Sequence, residues 1–216
     1  MSYFDGMFLK RSAGPVLSCL LFAFASIVHA QEHQRNYYPS GKLKSEGEML
    51  PAGKDGDWKY YYPSGILMCV EHFRGGTEEG VAEYYYPNNI LQAKEYRVNG
   101  VLQDSAFYYY DNGAVEKKGI YLNNQYAGEW KHYFRSGRLE RTVPYSNGLP
   151  NGTTVLYNER GVLQQEGFYK DGLEHGEWKF YDETGRLKYS GSYRSGEREG
   201  AWFQYDKKGS RKPWKY

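Results

Sequence analysis

The sequence repeats every 24 residues, without insertion or deletion, from Tyr37 almost to its end. The period divides the chain into seven full units, 37–204, and half of an eighth, 205–216. A fixed period of this length indicates a solenoid, a propeller or another array, and it constrains the fold more than any local motif. The tyrosines that open the units are Tyr37, Tyr61, Tyr85, Tyr109, Tyr133, Tyr157, Tyr181 and Tyr205.

Unit position five predicts a turn. It is glycine in every unit except the third, where it is Asn89. Asparagine is the non-glycine residue that best tolerates a positive φ, so the exception indicates a turn residue in the left-handed region.

Each unit has the pattern of a β-hairpin. In the sixth unit, Trp178 and Phe180 alternate with polar residues, as in a strand. A turn is predicted over residues 182–185, followed by a second strand over 186–193. If Tyr181 opposes Arg186, then Phe180 opposes Leu187 on the same face. Residues 170–176 are polar and glycine-rich, and we expect them to link one hairpin to the next.

The predicted fold is all-β: an elongated, single-layer antiparallel meander of tandem 24-residue β-hairpins. A single sheet has no second layer to cover its apolar side chains. Aromatic residues make up 18% of the chain, and we expect those at positions 22, 24, 1 and 13 to form a continuous slab. Small residues at position eleven leave room for a ring on the adjacent strand. These are Gly47, Gly119, Gly167 and Gly191.

The N-terminus lies outside the repeats and has the layout of a secretory signal peptide, assigned to residues 1–30. Lys10 and Arg11 precede an apolar run that ends at Val28-His29-Ala30. The chain is therefore expected to be exported, to the periplasm or the medium, or else anchored in a membrane by an uncleaved segment. Residues 31–36 are polar and are predicted to be a flexible leader before the array, 37–216.

Charge and cysteine content exclude some classes of protein. Without Asp5, Lys10 and Arg11 of the leader, the 28 basic and 26 acidic residues become 26 and 25, a net charge of +1. A nucleic-acid binder needs a clear basic excess, so no nucleic-acid partner is expected. Cys69 is the one cysteine outside residues 1–30, so the array holds no internal disulfide, and we interpret Cys69 as a small packing residue.

The sequence shows no catalytic, metal-binding or cofactor-binding motif. His72, His132 and His175 fall at different unit positions and lack metal-ligand spacing. Paired acids such as Glu78 and Glu79 lie in the links, where solvated charge is the default explanation. We therefore expect no enzyme activity, no metal and no cofactor.

The motifs GEWKFYDETG, GEWKHYFRSG and GDWKYYYPSG, with the halves GKLKSEG, GRLKYSG and GVLQQEG, resemble MORN repeats, in particular the bacterial variant labelled the YwqK antitoxin type. The resemblance covers Tyr37 to Tyr216. It implies arrays of β-hairpins that act in protein interaction, dimerisation or membrane-lipid association. Two units depart from it, with Ala82 and Ala106 in place of tryptophan. A secretion signal does not fit a cytoplasmic toxin partner, so the antitoxin role is not carried over.

The aromatic slab is the predicted binding surface. We expect a scaffold in the cell envelope that binds an unidentified protein or a second copy of itself. One alternative is binding to the cell wall or to glycans, since GEWKHYFRSG also resembles choline-binding wall repeats. The other is association with membrane lipids. The candidate surface residues are Trp58, Trp130, Trp178, Trp202, Tyr121, Tyr145, Tyr169 and Tyr193.

Overall fold

The computed structural model describes residues 31–215, and none of them is helical. Among these residues, no helix could cross a membrane. The signal-peptide and anchor predictions concern residues 1–30, which lie outside the described part of the chain. The strands are β1 Glu32–Tyr37, β2 Leu43–Leu50, β3 Gly53–Tyr61, β4 Leu67–Arg74, β5 Thr77–Tyr85, β6 Leu91–Val98, β7 Val101–Leu102, β8 Asp104–Tyr109, β9 Val115–Leu122, β10 Gln125–Tyr133, β11 Leu139–Ser146, β12 Leu149–Pro150, β13 Gly152–Tyr157, β14 Leu163–Lys170, β15 Leu173–Tyr181, β16 Leu187–Arg194, β17 Glu197–Tyr205 and β18 Arg211–Trp214.

The strands form one open antiparallel sheet in which neighbours in sequence are neighbours in space. β1 pairs with β2, β2 with β3, and so on to β17 with β18. The short strands β7 and β8 act as one interrupted strand, because both pair with β6. β12 and β13 pair with β11 in the same way. The predicted all-β meander of 24-residue repeats is confirmed.

The turn at unit position five is confirmed as a left-handed one. Asn89 has φ 66°, and the glycines at the equivalent position have φ between 80° and 96°. In the turn near the start of unit seven, the Gly185 amide donates to the Asp182 carbonyl at 2.8 Å, and the Asp182 amide donates to the Arg186 carbonyl at 2.8 Å.

The expected register beyond this turn is wrong. Tyr181 opposes Leu187, and Phe180 opposes Tyr189, because an irregularity between Phe180 and Tyr181 shifts the pairing. The same irregularity recurs between positions 24 and 1 at equivalent places, for example between Tyr84 and Tyr85. The turn therefore contains more residues than the predicted four, and this changes which side chains lie opposite each other.

The predicted polar link is mostly strand. Asp171 and Gly172, with φ 52° and 87°, form a two-residue turn, and β15 begins directly after it at Leu173. Two successive positive φ values match the twist of the flanking strands in a tight hairpin. Gly176, at position twenty, also has a positive φ of 70° and lies in a bulge of β15. Each unit thus contains two hairpin turns.

Residues 32–36 of the predicted flexible leader, 31–36, instead belong to the sheet. Glu32–Tyr37 form β1 and pair with β2. They occupy positions 20 to 24 and 1 of a preceding half-unit, with Gln34 at the position of the tryptophan. The sequence does not show the alternation of apolar and polar residues here, because backbone hydrogen bonds and polar side-chain contacts stabilise the strand. His33 Nδ1 lies 2.8 Å from a Glu48 oxygen, and the Arg35 guanidinium bonds Glu46.

A hydrogen bond at position two connects successive units in the first half of the array. The Tyr38 hydroxyl donates to the carbonyl of Tyr61 at 2.7 Å. The same bond recurs one, two and three units later, from Tyr62, Tyr86 and Tyr110. Each bond joins one turn to the next, so it adds to the nearest-neighbour interfaces that stabilise a repeat array.

The core of this single layer consists of indoles that lie over glycine. Trp178 crosses the backbone of Gly167, where an added Cβ would be 2.1 Å from the ring. The other three glycines at position eleven, Gly47, Gly119 and Gly191, have the same relation to the tryptophan of their unit, as predicted. We call this side of the sheet the indole face. Trp58, Trp130, Trp178 and Trp202 are 0–2% exposed.

Candidate functional site

Positions eleven and twenty-two lie together on the indole face and change as a pair. Units one, four, six and seven have glycine and tryptophan. Units two and three have glutamate and alanine instead, at Glu71 with Ala82 and Glu95 with Ala106. Unit five has Val143 and Thr154. The indole face therefore has three kinds of surface: one filled by rings, one that carries carboxylates, and one that has neither.

The four tryptophans named as candidate surface residues lie inside the protein. The indole N–H of Trp58 donates to the Glu48 carbonyl at 2.9 Å, and that of Trp130 donates to the Ile120 carbonyl at 3.0 Å. Because these rings are buried on both sides, they can support a binding surface but cannot form its outer layer.

The four candidate tyrosines at position thirteen are half-buried beside the indoles. Tyr121, Tyr169 and Tyr193 each meet the tryptophan of their own unit edge-on at 5.1 Å between centroids. Tyr145, in unit five, has no such tryptophan and packs against Tyr126 at 5.0 Å. Part of each tyrosine faces solvent, and a binding role for the eight aromatic residues stays a prediction.

Units two and three carry a cluster of acids and tyrosines that sequence reasoning missed, and we call it the Glu–Tyr cluster. The Tyr84 hydroxyl donates to Glu71 at 3.3 Å. The Tyr108 hydroxyl donates to Glu95 at 2.7 Å and lies 3.1 Å from the Tyr121 hydroxyl. Glutamates thus stand where other units have glycine, alanines stand where those units have tryptophan, and phenols donate hydrogen bonds to the carboxylates.

One arginine completes the Glu–Tyr cluster. Arg97 occupies position thirteen, where four other units have tyrosine. Its Nη2 bonds Glu95 at 2.8 Å, and its Nε lies 3.0 Å from an oxygen of Glu78. The Arg97 side chain is 21% exposed and that of Glu95 12%. The arginine therefore balances two carboxylates on a largely desolvated face.

The phenols of the cluster are hydrogen-bond donors, not bases. Burial, and then the charge of Glu71, raise the pKa of Tyr84 to about 12. Burial also raises the pKa of Tyr121 to about 12. For Tyr108, burial and hydrogen bonds with Tyr121 and Glu95 raise the pKa further. These hydroxyls stay protonated at neutral pH, so the cluster is suited to polar contact with a ligand and not to proton abstraction.

Other reactive groups are similarly unsuited to chemistry. Cys69 is buried, and burial raises the pKa of its thiol to about 12, so the thiolate that reacts as a nucleophile is not formed. Within residues 31–215, no group of three or more potential ligands could hold a metal ion.

His132 gives the protein a pH dependence. Burial, and then the positive charges of Arg141 and Lys117, lower the pKa of His132 to about 4. The unfolded chain binds the proton near pH 6.5, so stability is full above that pH and falls as the pH drops towards 4. We expect a loss of about 2 kcal/mol, discounted for solvent screening of the partly exposed ring.

Urea unfolding between pH 8 and pH 4 measures this loss. His132→Phe places at position 24 the residue that unit six has there, Phe180, and should remove that part of the pH dependence. Equal slopes for the two proteins between pH 6.5 and 4 would contradict the assignment.

The opposite face of the sheet carries a line of exposed apolar residues that we call the apolar row. Its members lie at position 12 of units three, four and six and at position 21 of unit two, and these positions alternate with the inward-facing positions 11 and 22. Position 21 of units three to five is polar, with Ser105, Glu129 and Thr153. Val81 and Tyr96 are directly paired across β5 and β6. Near Ile120, a depression of about 290 Å³ also includes Phe107 and Lys118. The members are Val81 at 41% exposure, Tyr96 at 37%, Ile120 at 46% and Phe168 at 39%.

The comparisons with known proteins concern the repeat itself. The family model described as a MORN repeat variant matches residues 33–49, 54–74, 78–99, 127–147, 150–171 and 174–195, more than half of the chain. No curated protein matches. The solved structure "Crystal Structure of TcdB2-TccC3" is 13% identical with a TM-score of 0.19, over 82% of this chain and 14% of that chain.

A second solved structure, "Crystal Structure of TcdB2-TccC3 without hypervariable C-terminal region", is 14% identical. It also has a TM-score of 0.19, over 82% of this chain and 13% of that chain. The chain thus spans about one seventh of either structure.

Proposed function

The chain belongs to the MORN repeat variant family, and from that premise we propose that it is a scaffold that binds a protein through the apolar row. MORN repeats are generally modules for protein or membrane interaction and form a non-catalytic class. The scaffold is assigned to the cell envelope because the segment from Lys10 to Ala30 has the layout of a signal peptide.

The apolar row is the observation that carries the proposal. Soluble proteins seldom leave ordered lines of large apolar side chains in water unless a partner covers them. Strands lie about 4.8 Å apart, so the row extends over roughly 30 Å from Val81 in β5 to Phe168 in β14. At position twelve the terminal units have polar residues, Glu48 and Ser192. The apolar character of position twelve is therefore a property of units three to six and not of the repeat.

Site-specific photo-crosslinking in the native host tests the proposal. A photoreactive phenylalanine analogue replaces Ile120 in the full chain, and the envelope fraction is analysed after irradiation. We expect one defined crosslinked protein product, either a distinct partner or a second copy of the chain. Ile120→Lys in combination with Phe168→Lys should weaken the same association at least tenfold without a change in the circular dichroism spectrum, because it places two charges in the buried contact.

Ser192 is the matched control, because it occupies position twelve of unit seven. The same analogue at Ser192 should give no product, and Ser192→Lys should leave binding unchanged. Equal products from positions 120 and 192, or a strictly monomeric chain with no product from Ile120, would overturn the proposal. In the second case the wall-binding alternative becomes the better explanation.

A further inference from the structure

Unit five has a cavity of about 280 Å³ on the indole face, and we propose that it binds a flat aromatic ring that carries a carboxylate. The cavity lies at the one unit that has neither an indole nor a glutamate at positions eleven and twenty-two. It is distinct from the apolar row, which lies on the other face. The lining includes Tyr145, Tyr169, Val143, Pro150, Thr154 and Leu156.

The walls of the cavity are those that hold an indole in the next unit. Trp178 meets Tyr169 of its own unit at 5.1 Å and Tyr193 of the following unit at 5.9 Å, both edge-on. In unit five the corresponding tyrosines are Tyr145 and Tyr169, and both line the cavity. Edge-to-face contact is a favoured geometry between aromatic rings. A ring that enters unit five would meet the equivalent two tyrosines, but farther from the backbone than Trp178 lies, because Val143 occupies the space in which an indole packs over glycine.

Apolar side chains form part of the cavity lining, and Gln165 adds a polar one. Val143 is 7% exposed and takes the place of the glycine on which an indole would lie. The Thr154 hydroxyl donates to the Thr142 carbonyl at 2.7 Å, so its hydrogen already has an acceptor within the chain. Leu156 and Pro150 complete this part of the lining. A ring gains hydrophobic contact here without the loss of a hydrogen bond.

A positive charge lies at the edge of this apolar site. Arg141 lines the cavity and is exposed, and within residues 31–215 its guanidinium makes no ion pair. The neighbouring His132 stays neutral, since burial and the charges of Arg141 and Lys117 lower its pKa to about 4. The charge of Glu174 raises the pKa of Tyr169, but Glu174 does not line the cavity. A guanidinium binds a carboxylate with two parallel hydrogen bonds, so the ligand is expected to be an acid.

Two sources supply this chemistry: a free aromatic acid, and a peptide that ends in tryptophan or phenylalanine with a free α-carboxylate. Titration calorimetry on the purified full chain uses indole-3-acetate, its neutral analogue indole-3-acetamide, and a Gly-Gly-Trp peptide with a free carboxyl end. We expect the acid to bind and the amide to bind about tenfold more weakly, because a hydrogen bond to a charged group is lost. Tighter binding of the peptide than of indole-3-acetate indicates a polypeptide ligand, and the reverse a free acid.

Three variants locate the binding. Val143→Gly with Thr154→Trp gives unit five the glycine–tryptophan pair of its neighbours, which fills the cavity and should abolish binding. Arg141→Gln, at an exposed position that does not endanger folding, should reduce acid binding about tenfold, to the level of the amide. Arg138→Gln removes a nearby exposed arginine that does not line the cavity and should change nothing.

Failure of the acid to bind at millimolar concentration overturns the inference, as does full binding by the variant with the filled cavity. Equal affinity for acid and amide overturns the role of Arg141. None of these outcomes bears on the apolar row, because Ile120→Lys and Phe168→Lys lie on the opposite face.

Discussion

Gly167→Val is expected to destabilise the array by about 3 kcal/mol, because the new side chain would overlap the ring of Trp178. Even a Cβ at this position would lie 2.1 Å from the indole, and Gly167 has an ordinary φ, so the cost comes from the ring alone. Trp178→Thr is expected to cost about 3–5 kcal/mol, since a buried indole is replaced by a small residue. Urea unfolding with amide hydrogen exchange in β14 and β15 measures both.

The double variant distinguishes a specific pair from general damage. Gly167→Val with Trp178→Thr copies Val143 and Thr154, a combination that unit five already accommodates. We expect it to cost less than the sum of the single changes, by about 2–3 kcal/mol, because removal of the ring removes the overlap. Strict additivity would show that the ring and the glycine are not in contact in solution.

The sequence predicted those parts of the fold that depend on one residue type at one unit position. Asn89 indicated the left-handed turn, and the pairing of glycine with tryptophan indicated a ring over the backbone. Both inferences depend on glycine, which lacks a side chain, at positions five and eleven. A single sequence reveals such a preference when the same position recurs in several units. The register was not predictable in the same way, because the shift between Phe180 and Tyr181 arises from the turn as a whole.

The strand β1 shows a second limit. Its residues fit the 24-residue phase, but Gln34 stands where a tryptophan marks other units, and its contacts are polar. Backbone pairing with β2 needs no particular side chain, so the strand forms without a pattern that a reader could detect.

The sequence predicted which aromatic residues lie together on one face, but it did not predict that the tryptophans are buried. Tryptophan at a fixed position is compatible with a core and with a binding platform, and only the packing of Trp130 between neighbouring strands decides for the core. The Glu–Tyr cluster and the cavity do have a signal in the sequence, which is the joint change at positions eleven and twenty-two. This joint change can be interpreted only once the structure shows that the two positions are in contact.

Arg97→Met is expected to destabilise the protein by about 2–4 kcal/mol, because it leaves the carboxylates of Glu95 and Glu78 without their counter-ion on a poorly hydrated face. Methionine keeps the length and apolar stem of arginine, so loss of packing contributes little. Urea unfolding at neutral pH measures the change. Addition of Glu95→Gln to Arg97→Met should recover part of the loss, since the amide carries no charge and still accepts a hydrogen bond from Tyr108.

The comparison with an exposed pair makes this prediction specific. Arg135 bonds Asp111 at 2.6 Å, with both side chains more than half exposed, and Arg135→Met should cause no measurable loss. Distance alone would rank the Arg135 pair at least equal to that of Arg97, whereas desolvation ranks it far lower. If both variants lose the same stability, or neither loses any, then the Glu–Tyr cluster is as hydrated as the surface. In that case the carboxylates of Glu95 and Glu78 would not depend on Arg97.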